Sequence, residues 1–319
     1  MLALVHAPPD LIELAIRPDP VAGDGQVVVA VRAAGLNRAD LLQRAGKYPA
    51  PPGWPADIPG LEYAGEVRAI GSGVTRWRVG DRVMGLVGGG AHAELTVVNE
   101  RETMAIPDGM SFTDAAAIPE AFLTAWDAIA IRGRAADGDR VLVHAIGSGV
   151  GTAAAQLGRE LDLAIIGTSR TADKLERCRA LGMMHGVLTT DADWPMRVGD
   201  AVQVIVDTLG AGVLDQNLGL LASKGRLVQL GTLTGGKASG LDLSLVMRKR
   251  LTIVGTVMRA RSLDERIELV ERFVRLVLPM FAAGRLRPVV DRVVPMRQIE
   301  TAHRAMQSNE TFGKVVLSW

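Results

Sequence analysis

The chain has 319 residues, 48% of them hydrophobic, which at roughly 150 residues per domain is material for two cores. Charged residues make up 22% with a formal net charge of +1, so no global field favours nucleic acid, an anionic membrane or a polyanionic substrate, and a small-molecule partner is expected. The single cysteine, Cys178, excludes an intramolecular disulfide and a multi-cysteine zinc site and suits a reducing cytoplasm.

The opening MLALVHAPPDLIEL is a short apolar run broken by two prolines, with no basic leader, so neither a signal peptide nor a membrane span is expected. From Gln26 to Arg32, QVVVAVR is rich in β-branched residues. YAGEVRAIG, DRVMGLV and AELTVV repeat that character between glycine and proline turns, and the first third is read as a β-rich domain. PAPPGWPADIPG, residues 49–60, is predicted as an extended covering loop, because closely spaced prolines forbid helix and central strand. After Pro119 the pattern alternates: helix-like AFLTAWDAIAI, strand RVLVHAI, helix TAAAQLGREL, strand LAIIGTS, helix ADKLERCRALG, then strands in VQVIVDTLG, GRLVQLGT and LTIVGTV. That alternation predicts a parallel sheet covered on both faces. The strand Arg250 to Met258 closes this order and can pair with its own copy across a two-fold axis, so a homodimer is expected. One helix is predicted from Ser262 to Ala283, and the tail is read as strand, helix, strand.

HAIGSGVG stands between a predicted strand and a helix. Such a bend gathers unpaired N–H groups and the positive helix end at one point, which suits a pyrophosphate. Gly147 and Gly149 take the first two positions of the dinucleotide fingerprint and Thr152 the third, with Gly151 as an additional glycine. Gly147, Ser148, Gly149 and Val150 are therefore the expected cradle. A tight turn serving helix packing alone would use the same glycines. Enzymes that prefer NAD carry an acid at the end of the next strand, to grip the ribose 2′-hydroxyl. Here the position holds Ser169 and Arg170, with Lys174 one helical turn on, a set that suits a 2′-phosphate and predicts NADPH. Solvated surface charge is the alternative for Arg170 and Lys174. Gly231 and Thr232 end GRLVQLGT at the carboxyl edge of the sheet, where open α/β sheets bind ligands.

Six segments, GLNRADLLQRAGKYP, GLEYAGEV, GDRVMGL, AAAIPEAFLTAW, HAIGSGVG and FGKVVL, occur in the order seen in medium-chain dehydrogenases/reductases. Their wording is most similar to the zinc-free quinone oxidoreductases, and within these to the zeta-crystallin-like branch that includes the tumour-suppressor-inducible quinone oxidoreductase. The resemblance spans nearly the whole chain. It implies an α/β fold: a Rossmann doubly wound parallel sheet over residues 119–260, and a β-rich GroES-like catalytic domain from residues 1–118 and 261–319, closed by the C-terminal tail. Zinc alcohol dehydrogenases of this fold place a cysteine ligand where this chain has Asn37, and a histidine where it has Leu61, just before Glu62. The four-cysteine structural lobe is absent and the five histidines are scattered, so no catalytic zinc is expected.

Without a metal, the oxygen of a hydride acceptor needs another donor. Tyr48 in GKYP, a phenol protonated near neutral pH, is the first candidate, and the resemblance places the matching tyrosine at the active site. A loop aromatic whose hydroxyl meets water would read the same way. Ser148 is the second candidate, although turn chemistry explains a serine there equally well. Asn37 is expected to orient the nicotinamide or the substrate through its amide, and Asp40 to hold neighbouring loops. Thr124 in AFLTAW matches a family threonine near the nicotinamide, where a hydroxyl bonded to its own helix would look the same. Lys314 in FGKVVL corresponds to a family cation that reaches toward cofactor phosphate, with an ordinary surface lysine as the alternative. Glu120 is read as a helix-start acid, and Cys178 as a small core residue.

The expected function is NADPH-dependent, zinc-independent reduction of a quinone or similar conjugated carbonyl in the cytoplasm. Reduction of an enone or enoyl thioester uses the same donors and is the nearest alternative. A further alternative is a non-catalytic, crystallin-like protein that binds NADPH and RNA. The basic segments at Arg248 to Arg250 and Arg259 to Ser262 are its only footholds; both are read as solvated surface, and no nucleic acid partner is expected.

Overall fold

The computed structural model describes residues 1–7 and 11–319. Pro8 and Pro9, the break expected in the opening run, lie outside the described residues. The chain divides into two units, Met1–Leu123 with Arg259–Trp319, and Thr124–Met258. The first crossing falls inside the helix Pro119–Trp126, beyond the change of pattern at Pro119, because the start of that helix packs in the first unit. There the Phe122 ring meets Phe281 edge-on, with centroids 4.7 Å apart.

The second unit is built on six parallel strands: Arg140–Val143, Ala164–Ser169, His185–Leu188, Val202–Asp207, Leu221–Gln229 and Thr252–Gly255. In space they run third, second, first, fourth, fifth, sixth, so the order reverses between Arg140–Val143 and Val202–Asp207. That is the Rossmann order with its switch point. The apolar runs supply what a doubly covered sheet requires, since Val141, Leu142, Ile165, Ile166, Val204, Ile205, Val206 and Leu227 are all fully buried. The helix Gly149–Glu160 lies close on this sheet through its small residues. A Cβ on Gly158 would sit 2.1 Å from Ile165, and one on Gly151 would sit 2.3 Å from the Ile146 carbonyl oxygen.

The first unit carries a seven-stranded, mainly antiparallel GroES-like sheet whose hub is the long strand Gln26–Leu36. One edge of the hub pairs with Glu62–Ile70, while the other takes Leu95–Asn99 along its first half and the C-terminal strand Lys314–Ser318 along its second. The last residues of the chain thus complete the sheet begun near its start. Val27, Val29, Val31, Tyr63, Val67, Val83 and Leu317 fill the core. The N-terminal strands Leu2–Ala7 and Leu11–Ile16 form a separate antiparallel pair that the composition did not suggest.

Three elements differ from expectation. The helix expected from Ser262 to Ala283 is two helices, Leu263–Leu276 and Leu278–Ala282, parted at Val277. Pro279 has no N–H to continue the first helix and restricts the residue before it. The run AFLTAWDAIAI leaves α-helical geometry at Asp127 for a π-helical turn, Asp127–Arg132, where the Asp127 carboxylate accepts a bond from the Thr256 hydroxyl at 2.9 Å. The strand expected from Arg250 begins only at Thr252, because Arg250 is the left-handed cap (φ 54°) of the helix Leu243–Lys249.

Gly151→Ala drives a methyl group into a backbone carbonyl and is expected to lower stability in urea denaturation by about 1–3 kcal/mol. Gly219→Ala, inside the helix Leu214–Leu220 and with nothing within 4 Å of its Cβ position, is expected to be neutral or stabilising by up to about 1 kcal/mol.

Candidate active site

In the second unit, Ser148 is the N-cap of the helix Gly149–Glu160. Its Oγ accepts the Gly151 N–H at 3.1 Å and its carbonyl accepts the Thr152 N–H at 2.8 Å. The turn-chemistry reading of this serine is therefore realised in the structure, while its own O–H remains available to donate. The N–H groups of Gly149 and Val150 open the helix with no intrahelical acceptor, the geometry that suits an anion. Thr152, in the third fingerprint position, is buried and donates to the Gly149 carbonyl at 3.0 Å, and Gly151 provides the close approach in its place. The loop also meets the next crossover: a Cβ on Gly147 would lie 2.8 Å from the Lys174 side chain, whose stem therefore covers this glycine. Ser169 is buried and its Oγ accepts the Thr171 N–H at 3.1 Å, whereas Arg170 is exposed.

At the same carboxyl edge, Gly231 lies against Thr208, with its Cβ position 3.1 Å from the Thr208 carbonyl, and Thr232 beside it is exposed. The hydroxyls of Thr124 and Thr208 are both buried with no hydrogen-bond partner among the described residues. A buried orphan of this kind costs free energy unless a ligand meets it. Thr124 was expected near a cofactor; Thr208 was missed, and only its place at a strand end could have flagged it.

Beneath the loop, the buried His144 imidazole joins three strand ends. Nδ1 lies 2.9 Å from Thr168 Oγ1 and Nε2 lies 2.8 Å from Asn217 Oδ1, while Asn217 Nδ2 donates to Asp207 at 3.0 Å. Burial lowers the pKa of His144, so the ring is neutral.

In the first unit, Lys314 is not a surface or phosphate-facing cation. Its ammonium is buried and donates to Leu36 O at 3.0 Å, to Asn37 Oδ1 at 2.7 Å and to Glu62 Oε1. All three ammonium protons are therefore engaged inside the sheet, and none is left for a phosphate. Asn37 is held by the same group: its Nδ2 donates to Glu62 Oε1 at 2.9 Å and to Gly35 O at 3.3 Å. The amide expected to orient a ligand is thus saturated by protein. Glu62 completes the cluster, its Oε2 accepting the Glu120 N–H at 2.8 Å. Asp40 accepts the Asn37 and Gly60 N–H groups at 2.7 and 3.2 Å, the loop-holding role expected of it. Glu62 and Glu120 are the residues that sequence reasoning undervalued; the first of two acids in LEYAGEV, at the start of its strand, and a lone lysine in FGKVVL were the available signal.

Arg259 also overturns its expectation. It is only 8% exposed and stacks over Tyr48, with the guanidinium carbon 4.9 Å from the ring centroid. In the other basic segment Lys249 donates to the Gly219 and Leu221 carbonyls, both at 2.7 Å, leaving Arg248 and Arg250 as its exposed cations. A cavity of about 350 Å³ in the first unit, lined among others by Trp54, Pro55, Glu102 and Arg266, contains none of the expected site residues.

Burial dominates the acid–base character of the first unit. It raises Glu120 to about 7, with the Glu62 charge adding to the effect, and raises Asp40 to about 6 against the pull of the Asn37 N–H and Lys314. Tyr48 is raised by burial and then by Glu120, with Arg259 opposing. The phenol is therefore protonated at neutral pH.

The donor set does not fit zinc. Asn37 and Leu61 stand at the ligand positions, and an ammonium already lies between Asn37 and Glu62, where a second cation would meet its charge. Among the described residues no group of three or more His, Cys, Asp or Glu side chains could hold a metal.

Two known protein families match parts of the chain. Residues 23–108 match the alcohol dehydrogenase GroES-like domain, and residues 181–317 match the family described as zinc-binding dehydrogenase. The synaptic vesicle membrane protein VAT-1 homolog of Rattus norvegicus is 33% identical over 97% of this chain and 81% of its own length. A quinone oxidoreductase of Pseudomonas aeruginosa is 30% identical over 97% of this chain and 96% of its own. The pikromycin polyketide synthase component PikAII of Streptomyces venezuelae is 34% identical over 99% of this chain, which spans 8% of that much longer protein. Among solved structures, a quinone oxidoreductase of Pseudomonas syringae superposes with a TM-score of 0.88 at 26% identity, with 100% of both chains covered. A mycobacterial protein complexed with NADPH gives 0.87 at 25% identity, again with 100% of both chains covered.

Lys314→Met leaves the fully buried Glu62 without its cation and is expected to cost about 3–5 kcal/mol in chemical denaturation. Adding Glu62→Gln should recover part of that loss, because the neutral amide no longer leaves a buried charge uncompensated.

Proposed function

The chain is an oxidoreductase of the medium-chain dehydrogenase/reductase superfamily, related to quinone oxidoreductases and VAT-1 homologues, and from that premise we propose that it is an NADPH-dependent, zinc-independent quinone reductase. The observation that carries this reading is Lys174 lying over Gly147 with Arg170 exposed nearby, at the point where NAD-preferring enzymes carry an acid. Bound NADPH would supply a hydride to an electron-poor carbon conjugated with a carbonyl. The N–H groups of Gly149 and Val150 would hold its pyrophosphate, Ser169, Arg170 and Lys174 its 2′-phosphate, and the unpartnered Thr124 hydroxyl its carboxamide, with Gly231 and Thr232 at the same edge of the sheet.

Tyr48 then acts as the acid. Its protonated phenol donates to the acceptor oxygen as negative charge grows there, and solvent restores the proton. The Ser148 O–H is a second donor from the loop. Asn37 and Lys314 serve this chemistry indirectly, by building the scaffold that carries Tyr48. The balance is one quinone, one NADPH and one proton giving one hydroquinone and NADP⁺. The likeness to a polyketide synthase component supports enoyl-thioester reduction as the second reading, since the same donors serve it.

A second copy of the chain is the proposed macromolecular partner. The strand Thr252–Gly255 is one edge of its sheet, and Leu243, Met247, Ile253 and Val257 near it are exposed apolar side chains. No helix among the described residues is long and apolar enough to cross a membrane. We assign the protein to the cytoplasm, in keeping with one buried, unpaired cysteine.

The direct test measures NADPH oxidation with quinones and with enoyl thioesters in parallel; turnover of thioesters alone would overturn the quinone assignment. Calorimetry that detected no binding of either reduced pyridine nucleotide would remove the enzyme reading altogether. Tyr48→Phe is expected to lower kcat by about 10²-fold or more at unchanged NADPH affinity. Ser169→Asp combined with Arg170→Ile should move the ratio of kcat/KM for NADPH over NADH by about tenfold or more toward NADH, because the new carboxylate repels a 2′-phosphate.

A further inference from the structure

We propose that Arg259 is a positioning residue for Tyr48, clamping the phenol in place and presenting the positive charge that its phenolate faces once the proton has left. The inference rests on the reading of Tyr48 as the proton donor and deepens it. Nothing in the basic run MRARS announces this role, because the partners of Arg259 are mostly backbone oxygens.

Each guanidinium nitrogen is committed to a different segment of the first unit. Nε donates to the Gly88 carbonyl at 2.7 Å, Nη1 to the Tyr48 carbonyl at 3.0 Å, and Nη2 to Gln43 Oε1 at 2.8 Å. One side chain therefore fixes the helix Arg38–Arg44, the loop that follows it and the turn at Gly88. That turn has no slack, since a Cβ on Gly88 would lie 2.5 Å from the Trp54 indole. The acceptors of Arg259 are two carbonyls and an amide oxygen, and among the described residues no carboxylate ion-pairs with it. Its charge is thus delivered to the face of the Tyr48 ring. A neutral phenol attracts a cation through its quadrupole alone, whereas a phenolate attracts it through a full charge. The clamp consequently strengthens as the proton departs, which is differential stabilisation of the reacting state.

Glu120 works against it. The charged groups acting on Glu120 are Glu62 on its strand, Asp40 on the helix Arg38–Arg44, Lys314 on the C-terminal strand and Arg259 itself. Glu120 titrates at about 7, so its charge appears as the pH rises through neutrality and then resists loss of the Tyr48 proton. Removing Arg259 should make Tyr48 harder to deprotonate, and removing the Glu120 charge should make it easier.

The chain has two tyrosines, which makes the phenol directly readable. Tyr63 is fully buried, bonded to Thr103, and pushed well above the ordinary phenol range. In protein labelled with ¹³Cζ-tyrosine, Tyr48→Phe assigns the two NMR resonances, and the pH titration of the Tyr48 signal is then compared among variants. Arg259→Met is expected to raise its midpoint by about one unit or more, a tenfold loss of phenolate at a given pH. Arg259→Lys should retain most of the wild-type midpoint while losing the planar fork, with KM rising more than kcat falls. Glu120→Gln should lower the midpoint. An unchanged midpoint in folded Arg259→Met overturns the proposal; if that variant does not fold, an unchanged midpoint in Glu120→Gln together with wild-type kinetics in Arg259→Lys overturns it. Failure of the parent reading looks different: the midpoints move as stated, yet Tyr48→Phe reduces quinones at the wild-type rate.

Discussion

A buried ammonium organises the first unit. Lys314 enters from the last strand of the chain and meets Glu62, Asn37 and the Leu36 carbonyl, so a charge that would be costly alone is matched by a carboxylate and two neutral oxygens. The arrangement fixes the register of the C-terminal strand and orients the helix that begins at Arg38. Through the Glu120 N–H it also fixes the start of the helix Pro119–Trp126. Related zinc enzymes need donors in this neighbourhood for a metal; here the same sequence positions are given to architecture. The same unit carries one partly exposed phenol, that of Tyr48, beside a stacked guanidinium.

The second unit solves a different problem with the same economy of parts. Its sheet is apolar throughout, its first crossover helix is small enough on one side to lie against the strands, and the bend between them leaves N–H groups without internal acceptors. Two hydroxyls, of Thr124 and of Thr208 at the carboxyl edge, are buried without a hydrogen-bond partner among the described residues. Lys174 across Gly147 places positive charge next to that bend. These features together describe a receptor for an extended, multiply anionic molecule.

Much of this was legible from the residues. Continuous Val, Ile and Leu runs separated by helical spacing announce a doubly covered parallel sheet, and the glycines of HAIGSGVG mark the bend between its first strand and helix. The charged interior was not legible. Glu62 and Lys314 are separated by 252 positions, and a charge in a strand reads locally as a solvent-facing residue until the pairing is known. Arg259 escaped for a related reason: a basic cluster looks solvated, and backbone carbonyl acceptors carry no side-chain signature. Lys314 illustrates the hazard of carrying a family role across one position at a time, since its neighbours decide where its ammonium ends. Short elements such as the N-terminal strand pair and the break at Val277 depended on tertiary pairing and on a single proline.

The network under the glycine bend has a direction as well as a shape. Asn217 gives its amide hydrogens to Asp207, so its oxygen must accept from His144 Nε2, and His144 Nδ1 must accept from the Thr168 hydroxyl. The imidazole is thereby confined to one tautomer, and no member of the relay can turn over without its neighbours. A nucleotide arriving above it would meet a turn whose freedom was surrendered during folding, so little entropy would remain to be lost on association.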